Sequence, residues 1–245
     1  MRILIFLLTV ITFQSSAQTD TVYKYFNEKW KPVQKDSAFF IGKIIKEANG
    51  YHRKDFWAQT NVLQFDGFFE DAETETENGP SRFYNENAVL LDSVNYEHGK
   101  ENSKYVFYEN HTVKGFAQFN TTGQVTEQAG YDESGKTVSG YIFQKEAVFP
   151  HGVQAWQKYL VKGLTSNQPK AYLDGKMSGT VVVSFLVNKQ GNVEEAKVIE
   201  SSGFDELDQH ALNVIKNSPK WIPAIQYNEA VIYRQKQSLT YAPQQ

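Results

Sequence analysis

The chain has no cysteine in its 245 residues. That excludes a disulfide framework, a thiolate metal site, a thiol nucleophile and a cysteine-linked lipid anchor. Proline is scarce, at seven, and with 16 glycines it gives no basis for collagen or a long extended linker. Neither sign of charge dominates, since 25 Lys and Arg stand against 28 Asp and Glu for a net of -3. Such a surface offers no general attraction to nucleic acid or anionic lipid, so neither is expected as a partner. The histidines His52, His98, His111, His151 and His210 are scattered, without the pairing of a helical zinc site. No GxSxG elbow, phosphate loop or dinucleotide fingerprint occurs. Glu194 with Glu195, or Asp205 with Asp208, read as surface carboxylates rather than an acid/base pair. The residues therefore nominate no catalytic group, no metal ligand and no cofactor, and a protein that is not an enzyme is expected.

The one strongly apolar run, Ile3 to Phe13, follows Met1-Arg2 and precedes the small residues Ser15-Ser16-Ala17. It is about 11 residues long, where spanning a bilayer takes roughly 20. It reads as a secretory signal peptide over residues 1–17. The mature chain is then expected to start at Gln18, in an exported compartment, meeting membranes only through partners.

Aromatic residues crowd into 18–148, where Tyr84, Tyr96, Tyr108, Phe119, Tyr131 and Phe143 recur at steps of 11 or 12. Turn formers lie between them, as in Asn85-Glu86-Asn87, His98-Gly99-Lys100, Glu109-Asn110-His111, Thr122-Gly123-Gln124 and Ser134-Gly135-Lys136. Short strands punctuated this regularly read as an antiparallel meander built from repeats. The pattern resembles MORN-like repeats of exported Gram-negative proteins, which implies a stacked sheet and at most a binding surface. The acidic run Asp71 to Gly79 has alternating carboxylates but not the glycine and terminal glutamate of a calcium loop, and reads as a solvated loop.

From Phe149 the pattern changes, and 149–245 reads as a second domain. Val153, Trp156, Tyr159, Leu160 and Leu164 have helical spacing. Gly179–Val187 and Val193–Glu200 flank the turn formers Asn188 to Asn192 as a hairpin. Leu207, Ala211, Leu212 and Ile215 mark a second helix over Phe204–Lys216, ended by Pro219. Alternation predicts a last strand over Ala230–Thr240, with Val231, Tyr233 and Leu239 on one face. The whole chain is thus expected to be α+β, a β-repeat meander followed by an α-β-β-α-β domain with a three-stranded antiparallel sheet.

The segments GTVVVSFLVNKQGNV at 179–193, KVIESSGFDELDQHALNVIK at 197–216 and PKWIPA at 219–224 resemble the C-terminal domain of TonB, the energy transducer of Gram-negative envelopes. FPHG at 149–152 is similar to the FPGG opening of some members. Most of these residues identify the fold without touching a partner: Trp221 reads as a packing anchor, Pro223 as a strand-entry residue and Gly191 as a turn glycine. What the resemblance implies about function lies in the last strand, whose edge would hold the extended TonB box of an outer-membrane receptor by β-augmentation. Carried over, the pairing residues are Ala230, Val231, Ile232, Tyr233, Arg234, Gln235, Lys236, Gln237, Ser238 and Leu239. Gln168-Pro169 stands where many members have Tyr-Pro, and is an additional contact candidate. The resemblance implies a periplasmic protein supporting or modulating TonB-dependent transport, with an outer-membrane receptor or another envelope protein as partner and a homodimer through the edge strand as a further option. The alternative is an envelope scaffold whose repeat sheet holds the ligand. Against the family pattern, a MORN-like region fills the place of the proline-rich spacer.

Overall fold

The computed structural model describes residues 20–243, so the expected signal peptide over 1–17 lies outside the described residues. The chain divides into two compact units, one running to Asn102 and the other starting at Ser103. Its class is α+β, with an antiparallel meander first and, among the described residues, every α-helix after residue 150. The meander strands are β1 (Thr21–Phe26), β2 (Phe40–Glu47), β3 (Gly50–Trp57), β4 (Leu63–Phe69), β5 (Glu77–Tyr84), β6 (Leu90–Glu97), β7 (Lys100–Phe107), β8 (Val113–Phe119) and β9 (Val125–Gly130). Their order in the nine-stranded sheet is their order in the sequence.

One local turn explains the step of about twelve, a strand of roughly seven residues plus five of turn. At Asn85–Val89, Asn120–Gln124 and Asp132–Lys136 the first side chain accepts hydrogen bonds from the backbone N–H groups two and four residues on. This Asx arrangement competes with strand geometry and bends the chain back. It also requires a left-handed fourth residue, which is glycine at Gly123 and Gly135 but alanine at Ala88, with φ 60°. A left-handed L-residue costs about 1–2 kcal/mol, more than the chain entropy of a glycine. Exposed Ala88→Gly is therefore expected to stabilise the first unit by about 0.5–1 kcal/mol, read as a higher urea midpoint. No change would show that the turn carries no strain.

In the first unit Phe40, Ile44, Phe65, Phe69 and Val94 are buried. Asp55 is buried among them, and the Arg53 side chain donates to it at 2.9 Å. Burial raises the Asp55 carboxyl above its ordinary range, with Arg53 opposing that rise.

The end of the meander, in the second unit, has its own cluster of Val106, Ala117, Phe119, Tyr141 and Phe143. Gly115 and Gly130 face each other across β8 and β9, and the Tyr141 ring lies over both. A Cβ on Gly130 would stand 1.9 Å from that ring, so the flat packing needs glycine there. The Tyr141 hydroxyl is buried without a partner, and burial pushes its phenol up to about 12. A buried polar group left unsatisfied costs about 1–3 kcal/mol. Tyr141→Phe keeps the ring and is expected to raise stability by about 1 kcal/mol; a loss measured in urea would reveal a hydrogen-bond partner for that hydroxyl.

The rest of the second unit comprises β10 (Gln144–Lys145), α1 (Gly152–Thr165), α2 (Lys170–Leu173), β11 (Gly179–Val187), β12 (Val193–Glu200), α3 (Asp205–Lys216), β13 (Ala224–Gln226), β14 (Glu229–Val231) and β15 (Tyr233–Tyr241). One antiparallel sheet has the order β12-β11-β15. Alternate residues Val181, Val183, Phe185 and Val187 of β11 share a core with Trp156 and Leu160 of α1 and with Leu207, Ala211 and Ile215 of α3. Trp221 joins this core against Phe149, Trp156 and Phe185. Acidic Asp205, Glu206 and Asp208 open α3 and Lys216 closes it, each matched to the helix dipole. A second, smaller sheet has the order β10-β13-β14.

That smaller sheet corrects one expectation, because the single strand Ala230–Thr240 is two. Tyr227 and Asn228 both take left-handed φ, a hairpin turn that pairs Ala230 and Val231 with β13. Ile232 breaks the run, and pairing with β11 starts only at Tyr233. The hairpin tip is fixed by N–H groups of Tyr227 and Asn228 donating to the carbonyls of Phe143 and Ile142. Edge-to-face packing of Phe143 and Tyr227 and an ion pair from Lys114 to Glu229 at 2.9 Å complete the anchorage.

Candidate functional site

β15 is a terminal strand of its sheet. Its register with β11 runs from Val187↔Tyr233 to Gly179↔Tyr241 without a shift. Tyr233, Gln235, Gln237, Leu239 and Tyr241 point toward the helices, whereas Arg234, Lys236, Ser238 and Thr240 are exposed. Two glutamines on an inward face need partners, and they have them. Gln237 Oε1 accepts from the Trp156 indole at 2.8 Å, and Gln235 Nε2 donates to the Ala147 carbonyl at 3.4 Å. The strand is thus held to α1 and to the segment before it through polar contacts, with Leu239 and Tyr241 sealing its far end in the core. Cationic Arg234 and Lys236 on the outer face discourage indiscriminate pairing of an open edge.

The proposed pairing residues fall into three places. Ala230 and Val231 lie on β14, Ile232 is the exposed link, and Tyr233, Arg234, Gln235, Lys236, Gln237, Ser238 and Leu239 form β15. Gln168 and Pro169 are at the α1–α2 junction, where the Gln168 carboxamide donates to the Leu164 carbonyl and Pro169 precedes α2. The junction reaches the end of β15 through other side chains. Tyr172 packs edge-on against Tyr241 at 5.4 Å. His210 lies between the Ser166 carbonyl and the Tyr241 hydroxyl, at 2.8 and 2.7 Å. A carbonyl accepts only, so Nε2 carries the proton and, in the neutral ring, Nδ1 accepts from the tyrosine. Burial raises the Tyr241 phenol far above its ordinary value, which keeps it a donor.

Sequence reasoning missed the β10-β13-β14 sheet and α2. The only local signal for the sheet was Tyr227-Asn228 between apolar runs, a two-residue turn candidate. Of the four carboxylates considered as acid/base groups, Glu194 accepts from the Asn188 amide and Asp208 from Ser202. Among the described residues no group of three His, Asp or Glu side chains is arranged to hold a metal ion. Among the same residues no helix is long and apolar enough to cross a membrane.

No curated protein gives a significant match to the chain. Residues 169–243, spanning α2, the β12-β11-β15 sheet and α3, match the family model described as Gram-negative bacterial TonB protein C-terminal, so this part of the chain is similar to that family.

Proposed function

We propose that the chain is an exported, periplasmic TonB-like protein that captures an extended peptide of an outer-membrane receptor by adding it as a strand beside β15. The observation that carries the reading is the position of β15, a terminal strand in the domain that matches the TonB family. Backbone hydrogen bonds along such an edge give affinity with loose sequence demand, which suits one domain serving several receptors. In this reading the work is binding, without catalysis or cofactor, in support or modulation of TonB-dependent transport. The meander over 18–148 acts as a MORN-like array in place of a spacer, and the module over 149–245 engages the partner. The same edge is the surface through which two copies would pair.

The test is titration of the full chain with TonB-box peptides from receptors of the same organism, followed by backbone amide NMR. Shifts running contiguously through Tyr233 to Leu239 are expected. An unchanged spectrum at millimolar peptide would remove the reading, and shifts confined to the meander would favour a scaffold whose repeat sheet holds the ligand.

A further inference from the structure

Beside the start of β15, inside the second compact unit, lies a cleft of about 930 Å³. Its walls come from the β8–β9 turn and the start of β9, from the segment around β10, and from β13 and the Val231–Tyr233 link. Four terminal strands border it, since β9, β10, β14 and β15 each end the order of their sheets. The first-unit residues contribute nothing to it.

The lining has a definite chemistry. Gln124, Gln128, Gln144 and Gln226 bring four carboxamides, each both donor and acceptor. One of them already binds a backbone group: Gln128 Oε1 accepts from the Phe143 N–H at 2.8 Å. Gln144 and Gln226 are directly paired across β10 and β13, and both are exposed. The charged groups are Lys145 and Glu146, one of each sign. The apolar part includes Val125, Ile142 and Ile232, the last 57% exposed at the lip. Carboxamides in a charge-balanced cleft match peptide groups, and an exposed isoleucine between them matches an aliphatic side chain.

We infer that this cleft is a second subsite for the peptide on β15, taking the uncharged, extended residues that project past Tyr233. The inference rests on the reading of β15 as a pairing edge and adds to it a place where flanking sequence is selected. Binding along β15 supplies sequence-tolerant affinity, and the cleft supplies preference among partners, favouring neutral flanks over charged ones.

The experiment compares three peptides on the full chain by fluorescence anisotropy: a TonB-box heptapeptide, and the same peptide lengthened by roughly five neutral residues at one end or the other, about 17 Å of extended chain. One lengthened peptide is expected to bind about 10-fold tighter than the heptapeptide, a difference well inside the range of a few added contacts. Gln144→Ala/Gln226→Ala, which removes two exposed amides, and Gln226→Trp, which places a bulky ring in the cleft, are each expected to abolish that gain while leaving heptapeptide affinity as it was. Equal binding of all three peptides, or a gain that survives both variants, overturns the subsite and leaves the β15 reading intact. Failure of every peptide to bind the unaltered chain removes both.

Discussion

Gly191→Ala is expected to cost roughly 3–5 kcal/mol, enough to leave the second unit largely unfolded at modest denaturant. Gly191 is the left-handed residue of the Asn188–Asn192 turn, at φ 85°. Alanine there carries the usual penalty of about 1–2 kcal/mol for a left-handed L-residue. The larger part comes from outside the turn. A Cβ would stand 2.0 Å from the Trp221 carbonyl oxygen, a backbone atom that cannot swing aside. Moving it breaks the bond from the Trp221 N–H to the Gly191 carbonyl at 2.8 Å and draws Trp221 away from Phe149, Trp156 and Phe185. Gly123→Ala separates the two contributions, because the same turn at 120–124 has nothing within 4 Å of the added Cβ. It is expected to cost about 1 kcal/mol. Equal urea-midpoint losses for the two variants would show that the approach of Trp221 to the turn carries no energy.

The contrast between these glycines also marks what the sequence discloses. The turn at Asn188–Asn192 is legible because an Asx residue and a glycine three positions on are local chemistry. The hairpin it joins, and the helix over 204–216, follow from periodicity and match the observed β11, β12 and α3 to within a residue. The meander is legible for the same reason, since its twelve-residue step is a strand plus a turn. What the sequence does not show is which partner an alternating segment finds. Ala230 to Thr240 alternates throughout, yet its first residues pair with β13 and its later ones with β11. The Tyr227-Asn228 turn folds the first residues back onto β13, and Gln144 and Lys145, some eighty residues earlier, extend that small sheet on its other side. Gln235 and Gln237 fall on the face of Tyr233 and Leu239 by alternation, but only the positions of Ala147 and Trp156 show what their carboxamides bind there. The open edge of β15 could be anticipated from family resemblance; the amide-lined cleft at its start could not, because its walls come from four separate stretches of chain.

The connection from β12 into α3 rests on one carboxylate, and its removal is the second large loss expected. Asp208 is 7% exposed, and its Oδ1 accepts from the Ser202 backbone N–H at 2.9 Å and from the Ser202 hydroxyl at 2.8 Å. These bonds fix the Ser201–Phe204 linker onto the first turn of α3, where the helix dipole also favours negative charge. Burial alone would raise the Asp208 carboxyl, but hydrogen bonds from Ser201 and Ser202 outweigh it and hold the group below its ordinary value of 3.8. Charge-assisted bonds exceed neutral ones, so Asp208→Ala is expected to cost about 2–3 kcal/mol at neutral pH. The sign of the pH dependence follows from the lowered carboxyl. Its contribution is fully present above the ordinary carboxylate value and fades as pH falls through the lower folded-state value. The stability gap between the unaltered chain and Asp208→Asn should therefore be widest near neutrality and shrink as pH falls below the ordinary carboxylate value of 3.8. Urea unfolding of both proteins across that range measures it. A gap independent of pH would mean that the side chain acts by shape and neutral hydrogen bonding, and that its charge contributes nothing to joining β12 and α3.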